Sequence, residues 1–155
     1  MRQVNVLLDA YAADHQNPAN RVLHTICVPI IVIALLGLLR SLPVPAPAPR
    51  GSVLVNWATL SAVLALAWYL RLSVALAAGM AVALMLALGA TVLLARLPMP
   101  LWASSAGLFA AGWAGQFIGH GLEGRRPSFL RDLRFLLVGP LWVLDGLYRR
   151  LGFRG

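Results

Sequence analysis

Residues 72–95 read LSVALAAGMAVALMLALGATVLLA, a stretch with no charged side chain between Arg71 and Arg96. About 20 consecutive apolar residues are enough for an α-helix to cross the hydrocarbon core of a bilayer. The stretch is also rich in Ala and Gly, and small residues let membrane helices approach each other closely. It therefore predicts a membrane-spanning helix and sets the fold class.

Three further stretches lack charged side chains and can each hold one spanning helix: Val22–Leu39, Val53–Leu70 and Leu97–Leu122. Together with Leu72–Ala95 they predict four transmembrane helices. We expect no cleavable signal peptide, because the first long apolar run begins only at Val22.

Two shorter segments flank the predicted spans. Residues 3–13 have the apolar spacing of an amphipathic helix, which would lie on the membrane surface. The uncharged run Phe135–Leu144 is short for crossing and contains Gly139-Pro140, so it predicts an interfacial or re-entrant helix. The fold class is thus an all-α membrane protein: a bundle of about four transmembrane helices with an N-terminal amphipathic helix and a C-terminal interfacial or re-entrant helix. We expect a single domain over residues 1–155.

The composition agrees with this fold class. Hydrophobic residues make up 60% of the 155 residues and charged residues only 12%, whereas soluble domains carry about 25% charged residues. The formal net charge is +8, and all 13 basic residues are Arg. No basic stripe interleaved with aromatic residues lies outside the apolar stretches, so nucleic acid is not an expected partner.

The Arg residues also predict the orientation. With four spans, one side holds Arg40, Arg50 and Arg96. The side that carries both termini holds ten: Arg2, Arg21, Arg71, Arg125, Arg126, Arg131, Arg134, Arg149, Arg150 and Arg154. Because cytoplasmic loops are enriched in basic residues, both termini are expected in the cytoplasm. The location would be a bacterial-type inner membrane.

The predicted topology brings all three histidines of the chain, His15, His24 and His120, to the cytoplasmic boundary of the membrane. Asn17-Pro18 is a typical helix start, with Asn as the N-cap and Pro at the first helical position. In that helix Asn20 would share a face with His24, four residues further on. The helices at the two ends of the bundle can meet, so the three histidines could converge.

The residues around the histidines leave several roles open. Imidazole suits Fe, Zn and Cu, and non-haem iron often combines two His with a carboxylate. Glu123 or Asp14 could supply that carboxylate, whereas Glu123, Asn20 and Gln116 could instead orient the imidazoles. The spacing is not specific for a metal. The same histidines could sit at the interface, capping helices or binding lipid headgroups.

Two blocks of sequence resemble a known family. The first is Tyr11…His15-Gln16-Asn17-Pro18-Ala19-Asn20…His24…Val28-Pro29. The second is Trp113…Gln116-Phe117-Ile118-Gly119-His120…Glu123…Arg126-Pro127, followed by Gly139-Pro140. Together they resemble the family of small membrane proteins that includes the fungal 2-hydroxy fatty acid dioxygenase of phytosphingosine breakdown.

The resemblance implies an Fe(2+)-dependent dioxygenase that uses O2 to shorten a long-chain 2-hydroxy fatty acid by one carbon, in fatty acid α-oxidation. It also implies that His15, His24 and His120 are the iron ligands. The acyl chain would then lie between apolar helices among membrane lipid, with the polar head at the boundary. Arg21, Arg125 or Arg126 could pair with the substrate carboxylate, although each could serve topology alone.

Two other function classes compete with this one. A non-catalytic membrane scaffold or lipid-binding protein would need no metal and would tolerate loss of the histidines. A small transporter would need polar residues at mid-span depth, and the second and third predicted spans offer almost none.

Overall fold

The computed structural model of the chain describes residues 3–45, 52, 54–124 and 134–152. These residues form six α-helices and no β-strand. The helices are α1 (Gln3–Ala13), α2 (Pro18–Ser41), α3 (Trp57–Leu72), α4 (Val74–Leu94), α5 (Leu101–Glu123) and α6 (Phe135–Arg150). The predicted all-α class and the number of helical segments are confirmed.

Polar residues set the starts of α2, α3 and α4. The Asn17 side chain accepts a hydrogen bond from the backbone N–H of Ala19 at 2.9 Å, and Pro18 occupies the first turn, as predicted. Asn56 caps α3 by accepting from Thr59 at 3.0 Å. Ser73 is the C-cap of α3 and the N-cap of α4, so a single residue separates these two helices.

The sixth helix is longer than the sequence indicates. It continues to Arg150 instead of ending near Leu144, because charged residues do not interrupt it. Asp145 and Arg149 lie one turn apart on its surface, and their side chains pair at 2.7 Å. Pro140 lies inside this helix.

The N-terminal helix α1 has the amphipathic character that was predicted. Val4, Leu8 and Tyr11 are buried, and α1 packs against α6. The most extensive helix contact joins α2 to α5. Two glycines make it close: a Cβ on Gly37 would lie 2.1 Å from the Ser105 hydroxyl, and one on Gly119 would lie 2.4 Å from Oδ1 of Asn20. This contact brings the N-terminal end of α2 beside the C-terminal end of α5.

Within the described part of the chain, α2 and α4 are long and apolar enough to cross a membrane. The helix α3 is apolar but has only 16 residues. The helix α5 has 23 residues and includes polar side chains such as Gln116 and His120. Large apolar side chains nevertheless remain exposed on α3 and α5, among them Leu64 at 62% and Ile118 at 61%.

Candidate metal centre

Three separate elements carry the three histidines to one place. His15 lies in the short connection between α1 and α2, His24 lies two turns into α2, and His120 lies in the last turn of α5. All three are buried, with exposed fractions of 0% to 4%. The helix start at Asn17 matters here, because it turns the chain back so that His15 faces the same space as His24.

The imidazole rings form a compact cluster. Their centroids are 4.3 Å apart for His15 and His24, 5.0 Å for His15 and His120, and 5.8 Å for His24 and His120. One nitrogen from each ring lies within 4.8 Å of the others. Two ligands about 2.1 Å from one ion are at most about 4.2 Å apart. A small inward movement would therefore let the three nitrogens share a metal ion.

The hydrogen bonds of these rings leave one nitrogen of each ring available as a metal ligand. Nδ1 of His15 donates to the backbone carbonyl of Tyr11 at 2.7 Å, so in the neutral ring Nε2 carries the free lone pair. That Nε2, together with Nδ1 of His24 and Nδ1 of His120, is buried and has no hydrogen-bond partner among the described residues. Burial lowers the pKa of His15 below its ordinary value of 6.5, which favours the neutral ring that a metal requires.

Tyr11 links two of the histidines. Its hydroxyl lies 2.5 Å from Nε2 of His24, and its ring stacks on His15 with centroids 4.4 Å apart. The sequence places Tyr11 in the predicted amphipathic helix over residues 3–13 and in the first family block, but gives no sign of this contact. The only local hint is that Tyr11 precedes His15 by four residues, one helical turn.

Glu123 ties the His15 connection to the end of α5. Its two carboxylate oxygens accept from the backbone N–H groups of Gln16 and Asn17, each at 2.8 Å. The side-chain amide of Asn20 donates to the same carboxylate at 3.0 Å. A carboxylate is well suited to this position because it neutralises the free N–H groups and positive dipole end of a helix N-terminus.

A half-open cavity of about 70 Å³ adjoins the histidines. Its walls come from α1, α2, α5 and α6. His24, His120, Gln116 and Tyr11 line its polar end. The remaining lining side chains are apolar apart from the Trp113 indole: Val28, Ile31, Val32, Trp113, Phe135, Leu136, Gly139 and Pro140.

Comparison with known proteins identifies the family. The family described as "2-hydroxy-palmitic acid dioxygenase Mpo1-like" matches residues 1–151. The chain belongs to the Mpo1-like family. It is 31% identical over 150 residues to the 2-hydroxy-palmitic acid dioxygenase MPO1 of Saccharomyces cerevisiae, covering 94% of this chain and 80% of the yeast protein. No solved structure matches the chain.

Two more candidate residues of this Mpo1-like chain lie close to the histidine cluster without belonging to it. Asp14 is buried beside His15, and Gln116 is buried one turn before His120. Neither Asp14 nor Glu123 is among the side chains whose ligand atoms gather within 4.8 Å. Among the described residues, the candidate metal cluster therefore consists of the three histidines.

The three predicted carboxylate-binding arginines divide into two sets. Arg21 is exposed, and its guanidinium lies 5.6 Å from the ring centre of Trp142. Trp142 in turn packs against His15, with ring centroids 5.4 Å apart, a contact that nothing in the sequence predicts. Arg125 and Arg126 lie outside the residues that the structure describes in this Mpo1-like chain.

Proposed function

We propose that this chain is an iron-dependent dioxygenase that shortens long-chain 2-hydroxy fatty acids by one carbon. The observation that carries the proposal is the convergence of His15, His24 and His120, each with an unpartnered buried nitrogen, in a member of the Mpo1-like family. The name of the yeast relative supplies the substrate class, a 2-hydroxy fatty acid, and dioxygen as the second substrate.

The proposal includes a membrane arrangement. Residues 1–155 form one domain in which α2, α3, α4 and α5 cross the bilayer, with both termini in the cytoplasm of a bacterial-type inner membrane. Two observations support it: α2 and α4 are long and apolar enough to cross, and large apolar side chains on α3 and α5 are exposed. In this arrangement the histidines lie near the cytoplasmic boundary, where a fatty acid presents its carboxylate.

His15, His24 and His120 would hold Fe(2+) through their unpartnered nitrogens. The donor set fits, because neutral imidazole suits iron and an unpaired buried nitrogen otherwise loses the free energy of a hydrogen bond. With three protein ligands, the ion would remain accessible to the carboxylate and 2-hydroxyl of the substrate. When bound, iron supplies the redox chemistry that lets O2 react with a saturated acid.

The surrounding residues would hold the histidines in place. The Tyr11 carbonyl fixes the tautomer of His15, and the Tyr11 hydroxyl holds Nε2 of His24. Glu123 fixes the connection that carries His15 and contacts Asn20 at the same time. Because both Glu123 oxygens already accept hydrogen bonds, we assign Glu123 and Asn20 to orientation of the site and not to metal ligation. Arg21, which is exposed beside Trp142, would attract the substrate carboxylate.

The reaction balances without a further reductant. The bond between C1 and C2 of the acid breaks, C1 leaves as CO2, and C2 becomes the carboxyl carbon of the shortened acid. The substrate loses four electrons and one O2 accepts them, so that the products are the shortened acid, CO2 and water. No nucleotide cofactor is needed, in keeping with a sequence that has no phosphate-binding glycine loop.

The test is turnover of a 2-hydroxy acid labelled with ¹³C at C1. Protein is purified in lipid nanodiscs without oxygen, loaded with Fe(2+), and then exposed to O2. We expect labelled CO2 and the acid shortened by one carbon in equal amounts, with neither product under nitrogen. The 3-hydroxy isomer is the substrate control and should give no labelled CO2.

Matched variants test the site. His24→Ala and His120→Ala should lose bound iron and turnover, whereas Thr25→Ala should keep both. Thr25 is exposed and adjacent to His24, and its hydroxyl donates to the Arg21 carbonyl of its own helix at 2.8 Å. Iron-loaded wild-type protein that forms no shortened acid would overturn the proposed function and favour a lipid-binding scaffold.

A further inference from the structure

A cleft separates α5 from α6. Both helices pack on α2, but their described residues scarcely meet each other. The cavity beside the histidines fills this gap, with α2 as its floor, Trp113 on one wall, and Leu136 and Pro140 on the other. Leu136 is 47% exposed, so the cleft opens sideways toward the surroundings of the bundle.

The cleft changes from polar to apolar along α2. His24 lines its polar end, whereas Val28, Ile31 and Val32 follow one and two turns further into α2. The helical rise places Val32 about 12 Å along the helix axis from His24. Since α2 is long and apolar enough to cross a bilayer, these three side chains lie at the depth of lipid acyl chains.

Gln116 is a polar residue of this cleft whose burial the contacts described so far do not explain. Its side chain is 3% exposed and lines the cavity together with His24 and His120. Its Nε2 is buried and has no hydrogen-bond partner among the described residues. A buried amide donor without an acceptor costs free energy, which a ligand carrying an acceptor would offset.

We infer that the cleft between α5 and α6 admits the substrate from the side, with its acyl chain along Val28, Ile31 and Val32 and its polar head accepting a hydrogen bond from Gln116. This inference rests on the proposed function for the identity of the substrate. The cavity of about 70 Å³ has room for about two water molecules. It therefore takes the carbons nearest the head, and the remainder of the chain leaves through the side opening into lipid.

The first test maps where an acyl chain binds, without turnover. A 2-hydroxy fatty acid with a photoreactive diazirine in its chain is crosslinked under nitrogen to the full chain in nanodiscs. We expect crosslinked peptides from α2 around Val28–Val32 and from α6 around Leu136–Pro140. Crosslinks confined to α3 and α4 would overturn the inference.

A pair of variants on α6 tests the side opening. Leu136→Trp fills the mouth of the cleft and should reduce crosslinking and raise KM about 10-fold or more. Leu147→Trp is the matched control, because Leu147 is 49% exposed on the same helix and does not line the cavity. Equal crosslinking in both variants would rule out entry through this cleft.

The role of Gln116 has its own readout. Gln116→Met keeps the size of the side chain and removes the donor, so affinity for the 2-hydroxy acid should fall about 10-fold. Affinity for the unsubstituted alkane of the same length, which has the chain but no acceptor, should change much less, and iron content should stay the same. Equal losses for the acid and the alkane would contradict a hydrogen bond to the polar head.

These outcomes separate the inference from the proposed function. Crosslinks in the cleft without formation of shortened acid would support the lipid site and overturn the dioxygenase assignment. Turnover with crosslinks elsewhere would support the dioxygenase and overturn the cleft.

Discussion

The hydroxyl of Tyr11 lies 2.5 Å from Nε2 of His24, although the two residues belong to different helices. A neutral imidazole has one donor and one acceptor nitrogen. If Nε2 donates its proton to the Tyr11 oxygen, Nδ1 of His24 keeps a free lone pair, and that Nδ1 is the buried, unpartnered atom. Tyr11 already occupies Nε2, so Nδ1 is the nitrogen of His24 that has no partner.

Tyr11→Phe should weaken metal binding. Loss of a residue that orients a metal-ligating His costs about 10- to 100-fold in metal affinity, measured here by competition with a chelator. Tyr69→Phe is the control: Tyr69 is also buried, and its hydroxyl donates to the Leu137 carbonyl at 2.8 Å. It should lower the free energy of unfolding by about 1 kcal/mol without changing metal affinity. Equal affinity losses in both variants would argue against a specific role for Tyr11.

Glu123→Gln should loosen the connection that carries His15. A neutral amide has one acceptor oxygen where the carboxylate has two. Only one of the N–H groups of Gln16 and Asn17 would then keep an acceptor, and neither would keep a charged partner. Hydrogen exchange at these two amides should become at least several-fold faster. Asp145→Asn, which breaks an exposed pair with Arg149, should leave their exchange unchanged. Unaltered exchange in Glu123→Gln would contradict the proposed clamp.

Gly119→Ala should disturb the site through packing. The new Cβ would lie 2.4 Å from Oδ1 of Asn20, so α2 and α5 would have to move apart beside the histidines. Overpacking of this kind costs about 1–3 kcal/mol, and metal content should fall with it. Gly121→Ala is the matched control, because nothing lies within 4 Å of its Cβ position. A Gly119→Ala protein with wild-type stability and metal content would refute this packing argument.

Acid should destabilise the metal-free protein. Burial lowers the pKa of His15, so below an ordinary imidazole pKa of about 6.5 the unfolded chain binds more protons than the folded one. Stability is therefore retained above pH 6.5 and lost as the pH falls toward the lowered value. His15→Gln should flatten this pH dependence of the unfolding temperature in detergent. An unchanged pH dependence in His15→Gln would show that other groups cause it.

The proposed topology can be tested with single cysteines. A maleimide that cannot cross membranes should label Val44→Cys in intact spheroplasts, because in the proposed topology the α2–α3 connection would face away from the cytoplasm. Arg71→Cys, in the last turn of α3, should be labelled only after the membrane is opened. The native Cys27 is buried and provides the background signal, read in the unmodified chain. Labelling of both variants in intact spheroplasts would refute four crossings with cytoplasmic termini.

The sequence by itself determined which segments are helical, and it placed His24 and His120 in two of them and His15 just before one of them. The uncharged run Leu72–Ala95 and the Asn17-Pro18 start act locally, through hydropathy and capping, so they could be read before any tertiary contact was known. The convergence of His15, His24 and His120 was also predicted, because an even number of spans puts the start of the first span and the end of the last on the same side of the membrane. The bounds of α6 could not be read in the same way, because an uncharged run marks apolarity and not the end of helical hydrogen bonding.

Only the tertiary structure decided what the residues around the histidines do. Glu123 contacts Gln16 and Asn17 across more than a hundred residues of sequence, and Tyr11 meets His24 from a different helix. The exposure of Leu136 and the burial of Gln116 depend on the gap between α5 and α6. These relations depend on how closely helices pack, which small residues such as Gly119 permit but which no local pattern specifies.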